Sequence, residues 1–206
     1  MMRDFVSSSF GIMINPVRGF YEMKYENKGS IWHIPVLFFL MCLSFSFQRQ
    51  YSGFVISQPH PLSFNILFDF TLVTLAFILF CVGNWSITCL MDGKGKFIEI
   101  MRGVSYSFTP MIIVFTPATI LSNAMTGAEA GFYFIVIGIS VFWFIAMLFT
   151  ALIIIHEFTL SRMLFTALLT ILSILFIVFI LGMLASLVQQ MIMYFYYIYR
   201  EIIFRL

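Results

Sequence analysis

The chain has 206 residues, of which 62% are hydrophobic and only 10% charged, and its formal net charge is +2. A soluble domain of this size carries about 25% charged residues and has no room to hide so much apolar surface, so lipid is the expected solvent for most of the chain. The small net charge, with no basic run of five or more residues, excludes a nucleic-acid partner.

The first thirty residues contain no continuous apolar stretch, so no cleavable signal peptide is expected. Apolar residues instead recur between Phe5 and Tyr25, with Asn15-Pro16 in the middle. That pattern predicts a short helix lying among the lipid headgroups. Residues 1–30 are therefore read as an interfacial N-terminal segment.

A helix needs about 20 mostly apolar residues to cross a bilayer. Five such stretches follow, near residues 31–47, 67–90, 104–124, 132–155 and 163–189. The first is short, and Trp32 and His33 stand at its start as interfacial anchors. "MTGAEAG" between the third and fourth is long enough only for a turn, so those two helices form an antiparallel hairpin. No charge occurs between Met163 and Tyr199. Such a stretch is about 55 Å long as a helix, too long for one span and too short for two. The expectation is that the fifth span stops near Gln189 and Gln190 and that residues 190–206 form a second, interfacial helix. Phe195, Ile198, Ile202 and Leu206 would share its apolar face, and Glu201 and Arg205 would pair at i,i+4.

Lysine and arginine set the orientation. Eight of them (Arg3, Arg18, Lys24, Lys28, Lys94, Lys96, Arg102, Arg162) fall on one side and three (Arg49, Arg200, Arg205) on the other. The predicted fold is an all-α integral membrane protein of five transmembrane helices over residues 31–189. Its N-terminus is cytoplasmic, its C-terminus lies across the membrane, and an amphipathic helix stands at each end.

Few residues invite chemistry. "DGKGK", residues 92–96, lacks the spacing and terminal Ser/Thr of a phosphate-cradling loop, and reads as a turn flexed by Gly93 and Gly95. Asp92, Lys94, Lys96, Glu99 and Arg102 make the surrounding segment the best candidate for a partner-binding surface. Lys96, Glu99 and Arg102 are spaced to pair along a wet helix face, while Phe97, Ile98 and Ile100 would anchor that helix on the leaflet. His156-Glu157 opens like a zinc-protease motif, but Leu160 stands where the second histidine is required. The pair is read instead as the end of the fourth span, where a helix C-terminus favours positive charge. The other histidines, His33 and His60, lie elsewhere, and Cys42, Cys81 and Cys89 read as packing residues. No metal, cofactor or catalytic set is expected.

Asp69 is an acid at the edge of an apolar block. A proton or cation role is one reading; the plainer one places it near the far end of its helix, where water is close. In the third span Pro110 and Pro117, seven apart, should kink the helix. Ser105, Thr109, Thr116, Thr119 and Asn123 form a polar stripe beside them. The stripe either lines a path or caps carbonyls freed by the prolines. Gly182 and Ser186 form a small-xxx-small pair in the fifth span, common in membrane helices and specific to no partner.

Three segments carry a resemblance: "INPVRGFYEMKYENKGS", "GNWSITCLMDGKGKFIEIMRGVSYSFTP" and "FWFIAMLFTALIIIHEFTLSR". In order and character they resemble the Yip1 family of five-span membrane proteins. The family's glycine-containing loop is followed by an aromatic-Ser-x-x-Pro step, matched here by Tyr106, Ser107 and Pro110. The resemblance covers roughly residues 15–162. It implies the same topology and no catalytic residues. Eukaryotic relatives look like adaptors that bind Rab-type GTPases through a longer acidic N-terminal region. That region has no counterpart here, so the resemblance implies a prokaryotic-type member without GTPase binding, placed in a plasma membrane. A scaffold that docks other membrane proteins, transporter subunits or its own copies is the leading expectation. The alternative is a small permease or an accessory subunit of a larger transporter, with the polar third helix lining its pathway.

Overall fold

The computed structural model describes residues 9–26, 30–53, 56 and 65–205. His60 and Leu206, both part of the expectations above, lie outside these, as do residues 1–8 and the side chain of Arg205. All regular structure among the described residues is helical. Residues 9–14 are helical, and the further helices are α1 (Pro16–Tyr25), α2 (His33–Tyr51), α3 (Ile66–Leu90), α4 (Phe97–Ser107), α5 (Thr109–Ser122), α6 (Ala130–His156) and α7 (Leu160–Arg205).

Local chemistry fixes several boundaries. Pro16 lies in the first turn of α1, where its missing N–H costs nothing. Asn65 caps α3, its side-chain oxygen accepting from the backbone nitrogens of Leu67 at 3.0 Å and Phe68 at 3.3 Å. Gly127–Glu129 makes one 3₁₀ turn between α5 and α6, giving the tight hairpin foreseen for "MTGAEAG".

Pairings across the bundle give its course. His33 meets Tyr106, Ser44 meets Thr116 and Gly53 meets Ser122, so α2 runs parallel to α4–α5. Asn84 meets Thr170 and Met91 meets Thr166, so α3 runs antiparallel to α7. These pairings set one end of the bundle, marked by Glu157, apart from the other, marked by Asp69.

Four segments are long and apolar enough to cross a membrane: Ile66–Leu90, Phe97–Ser122, Gly127–His156 and Leu160–Phe204. These correspond to the second to fifth expected spans. α2, the first, is not in that set, because Gln48, Arg49 and Gln50 close its 19 residues. The exterior is apolar, with Leu67, Phe132, Phe142 and Phe176 at least 65% exposed, as befits surfaces covered by hydrocarbon.

Three expectations change. The third span is two helices, broken at Phe108, so Pro110 sits in the first turn of α5 rather than kinking a continuous rod; Pro117 alone lies inside a helix. The fifth helix does not end at Gln189 and Gln190: α7 continues unbroken for 46 residues. Residues 190–205 are thus the end of α7, not a separate helix. His33 is no interfacial anchor: it is buried and bonded to Tyr106 at 2.6 Å, while Trp32 is exposed.

The tight core occupies the Glu157 half. Phe20 and Met23 of α1, Leu37 of α2, Ile100 and Tyr106 of α4 and Met147, Ala151 and Ile155 of α6 interlock there. Gly103 lets α4 lie directly on α6, since a Cβ at that position would stand 2.6 Å from Ile155.

Candidate functional site

Two helices end side by side at this face of the bundle, in the same way. α3 closes with Asp92 at φ 55° and a bond from the Gly93 nitrogen to the Thr88 carbonyl at 2.8 Å. α6 closes with Glu157 at φ 56° and a bond from the Phe158 nitrogen to the Ile153 carbonyl at 3.2 Å. Both are Schellman-type ends, in which glycine usually takes the left-handed residue. Here an acid occupies each, and of the two only Glu157 has side-chain bonds to described residues, which offset the strained backbone.

Glu157 does so through three donors. Its Oε1 accepts from Lys24 Nζ at 2.8 Å and from the Tyr25 hydroxyl at 2.6 Å, and its Oε2 accepts from Lys94 Nζ at 2.6 Å. Lys24 also donates to the Ile154 carbonyl at 3.2 Å. One carboxylate thereby joins α1, the 91–96 loop and the α6–α7 turn. The hydrogen bonds of Lys24, Lys94 and Tyr25 pull the Glu157 pKa down to about 2, and the same carboxylate raises that of Lys94.

The glycines of "DGKGK" serve contact, not flexure. Neither takes a left-handed φ, but a Cβ on Gly93 would stand 2.7 Å from His156 Nδ1, and one on Gly95 2.5 Å from Ile155 Cγ2. The loop lies flat on the end of α6. Beneath it His156 is buried, stacked on Phe158 at 5.4 Å, with neither ring nitrogen hydrogen-bonded. Rather than standing at a wet helix end, His156 is packed beneath the loop. Arg162 lies over Phe158 at 4.4 Å and donates to the Met91 carbonyl, closing α7 onto α3.

The segment singled out as a partner surface divides. Asp92, Lys94 and Lys96 are exposed, Glu99 is half-buried and Arg102 is buried. Glu99 accepts from the Lys96 backbone nitrogen at 3.0 Å, capping α4, so the wet row of Lys96, Glu99 and Arg102 does not exist. Phe97 packs edge-on to Trp85 and Ile100 is in the core; Ile98 remains exposed.

The third-span stripe turns inward on its own backbone. Ser105, Thr109 and Thr119 are buried, and each hydroxyl donates to a carbonyl three or four residues earlier. Thr109 bonds the Tyr106 carbonyl at 2.7 Å, which Pro110 cannot reach. Asn123 donates to the Tyr51 carbonyl at 2.9 Å, and Thr116 lies 3.5 Å from Ser44. Of the stripe, only Thr116 borders the groove of about 400 Å³ between α2, α3 and α5.

At the opposite end Asp69 is 2% exposed and ion-paired with Arg49, with its Oδ2 buried and without a hydrogen bond. It is therefore not the water-facing acid of the plainer sequence reading. Cys42 and Cys81 are buried, Cys89 is exposed, and the three are free thiols. Among the described residues no three ligating side chains gather as a metal set.

The junction at Glu157 was missed by sequence reasoning, which saw only a helix end there. A family model, the Yip1 domain, matches residues 10–195. Searches of curated proteins and of solved structures gave no match.

Proposed function

The chain belongs to the Yip1 family, and from that premise we propose that this multi-pass membrane protein is a non-enzymatic scaffold whose Glu157 face docks other membrane proteins. The single observation supporting this reading is the three-way junction at Glu157. It fixes the 91–96 loop on the bundle while leaving Asp92, Lys94 and Lys96 exposed. A loop pinned in one shape loses little entropy on association, which favours recognition over mobility. Partners of this face are other polytopic chains, transporter subunits among them, or further copies of this one. The membrane is the plasma membrane of a prokaryote, with this face cytoplasmic, by the excess of lysine and arginine on that side.

The test is purification in mild detergent of the wild type beside the double variant Asp92→Lys, Lys96→Glu. A stoichiometric complex with another membrane protein, lost in the variant while thermal unfolding stays unchanged, supports the scaffold. Solute uptake into liposomes by the isolated chain overturns it in favour of a permease.

A further inference from the structure

α7 outruns every other helix of the bundle. Its 46 residues span about 69 Å, against about 37 Å for the 25 residues of α3. Only its first part is packed: Met163, Thr166 and Thr170 are buried, and Ile174 and Ile177 are half-buried. From Val178 to Phe204 every residue is exposed, so about 40 Å of helix stands clear of the bundle.

Hydrocarbon accounts for part of that length. Its core is about 30 Å thick, and a helix tilted by as much as about 40° crosses it in roughly 26 residues. α7 starts at the Glu157 face, where Arg162 donates to the Met91 carbonyl, and so leaves the hydrocarbon near Gln189 and Gln190. Beyond lie Met191, Phe195, Ile198 and Ile202, between 39% and 61% exposed. α7 holds no proline and does not break, so this stretch runs on away from the bilayer instead of turning down onto the headgroups. A helix with that much apolar surface needs a cover once it is outside lipid.

The spacing identifies the cover. Leu184, Val188, Met191, Phe195, Ile198 and Ile202 recur at alternating intervals of four and three, the heptad seam of a coiled coil. The same phase runs back through Ile177 and Thr170 to Met163, so the seam prolongs the face that α7 turns to α3. Gln189, Gln190, Arg200 and Glu201 all fall off it. We propose that this seam pairs with the same seam of a second copy, as a parallel two-stranded coiled coil projecting from the Asp69 end. Copies inserted in one orientation bring identical residues to one depth, so the two strands lie in register about a two-fold axis along the membrane normal. With roughly 100 Å² open on each of the six side chains, two copies cover about 1,200 Å², and stable pairs bury about 1,200–2,000 Å². Ile192 and Tyr199, exposed beside the seam, add to that area. The interface lies apart from the docking face at Glu157 and does not depend on it.

The mass of the whole chain in mild detergent, read by light scattering with the detergent subtracted, should equal two copies. Phe195→Glu should weaken the association about tenfold or more, because two carboxylates would be buried against each other. Met193→Glu, on the far side of the helix, and the double variant Asp92→Lys, Lys96→Glu should leave the dimer intact. In membranes, copper-phenanthroline oxidation of Ile198→Cys in a Cys89→Ser background should give a disulfide-linked dimer, and Arg200→Cys should not. These side chains are exposed in the single chain, so the substitutions spare its fold, and the yield of monodisperse protein checks that. A wild-type mass other than two copies overturns the proposal. So does a dimer that survives Phe195→Glu, or cross-linking as strong from Arg200→Cys as from Ile198→Cys.

Discussion

Gly95 approaches His156 so closely that a methyl group on its α-carbon would stand 2.7 Å from the ring Cε1. Ile155 Cγ2 would be nearer still, and both side chains are fully buried and cannot retreat. Gly95→Ala should therefore cost about 1–3 kcal/mol, as overpacking does. Gly138 is the contrast, exposed in the middle of α6 with nothing within 4 Å. Gly138→Ala should stabilise by roughly 0.5–1 kcal/mol through helix propensity. Unfolding of both variants in the same detergent measures the difference, and equal effects would mean that the loop does not rest on α6.

Acid should loosen the Glu157 junction in a defined window. Its folded pKa of about 2 lies below the ordinary 4.5, so its contribution is complete above the ordinary value and disappears as pH falls through the folded one. Wild-type unfolding temperature should drop between pH 4.5 and 2, and Glu157→Gln should flatten that part of the profile. A variant profile parallel to the wild type would remove Glu157 from the cause.

The ion pair at the other end is lopsided: the Arg49 side chain is 42% exposed and that of Asp69 only 2%. Removing the acid frees an arginine that can turn to water, whereas removing the arginine strands a buried carboxylate. Arg49→Met should thus destabilise by about 2–4 kcal/mol and Asp69→Asn by about half as much. Chemical denaturation in micelles would rank them, and the reverse order would refute the asymmetry.

Asp92 has the left-handed backbone of a helix C-cap but, unlike Glu157, no side-chain bond to a described residue. Asp92→Gly should raise stability by about 0.5–1 kcal/mol, because glycine takes that conformation without penalty. A loss on substitution would mean that the carboxylate has a partner beyond the chain.

The apolar blocks were legible because lipid demands long uninterrupted runs, and α3, α6 and the start of α7 fall close to where hydropathy puts them. The end of the fifth span was misjudged because bilayer thickness limits what a span needs, not how far a helix runs. The break at Phe108 was written in Pro110, which fits a helix start as well as a kink. Burial of Arg102 and His33 could not be read, since both depend on where α1 and α2 settle. The Glu157 junction was invisible for a similar reason. Its donors lie 133, 132 and 63 residues away, and no local spacing connects them.

That separation has a consequence for biosynthesis. Lys24 and Glu157 are 133 residues apart, and ribosomes add about 5–20 residues each second. Lys24 and Tyr25 therefore wait roughly 7–27 seconds for their acceptor, and Lys94 for a shorter time. During that interval the helices from α2 to α6 are made with their ends on the Glu157 side unlatched. Glu157 is the residue that ends this open period, which makes the moment α6 leaves the translocon the point at which the nascent protein first holds its own shape.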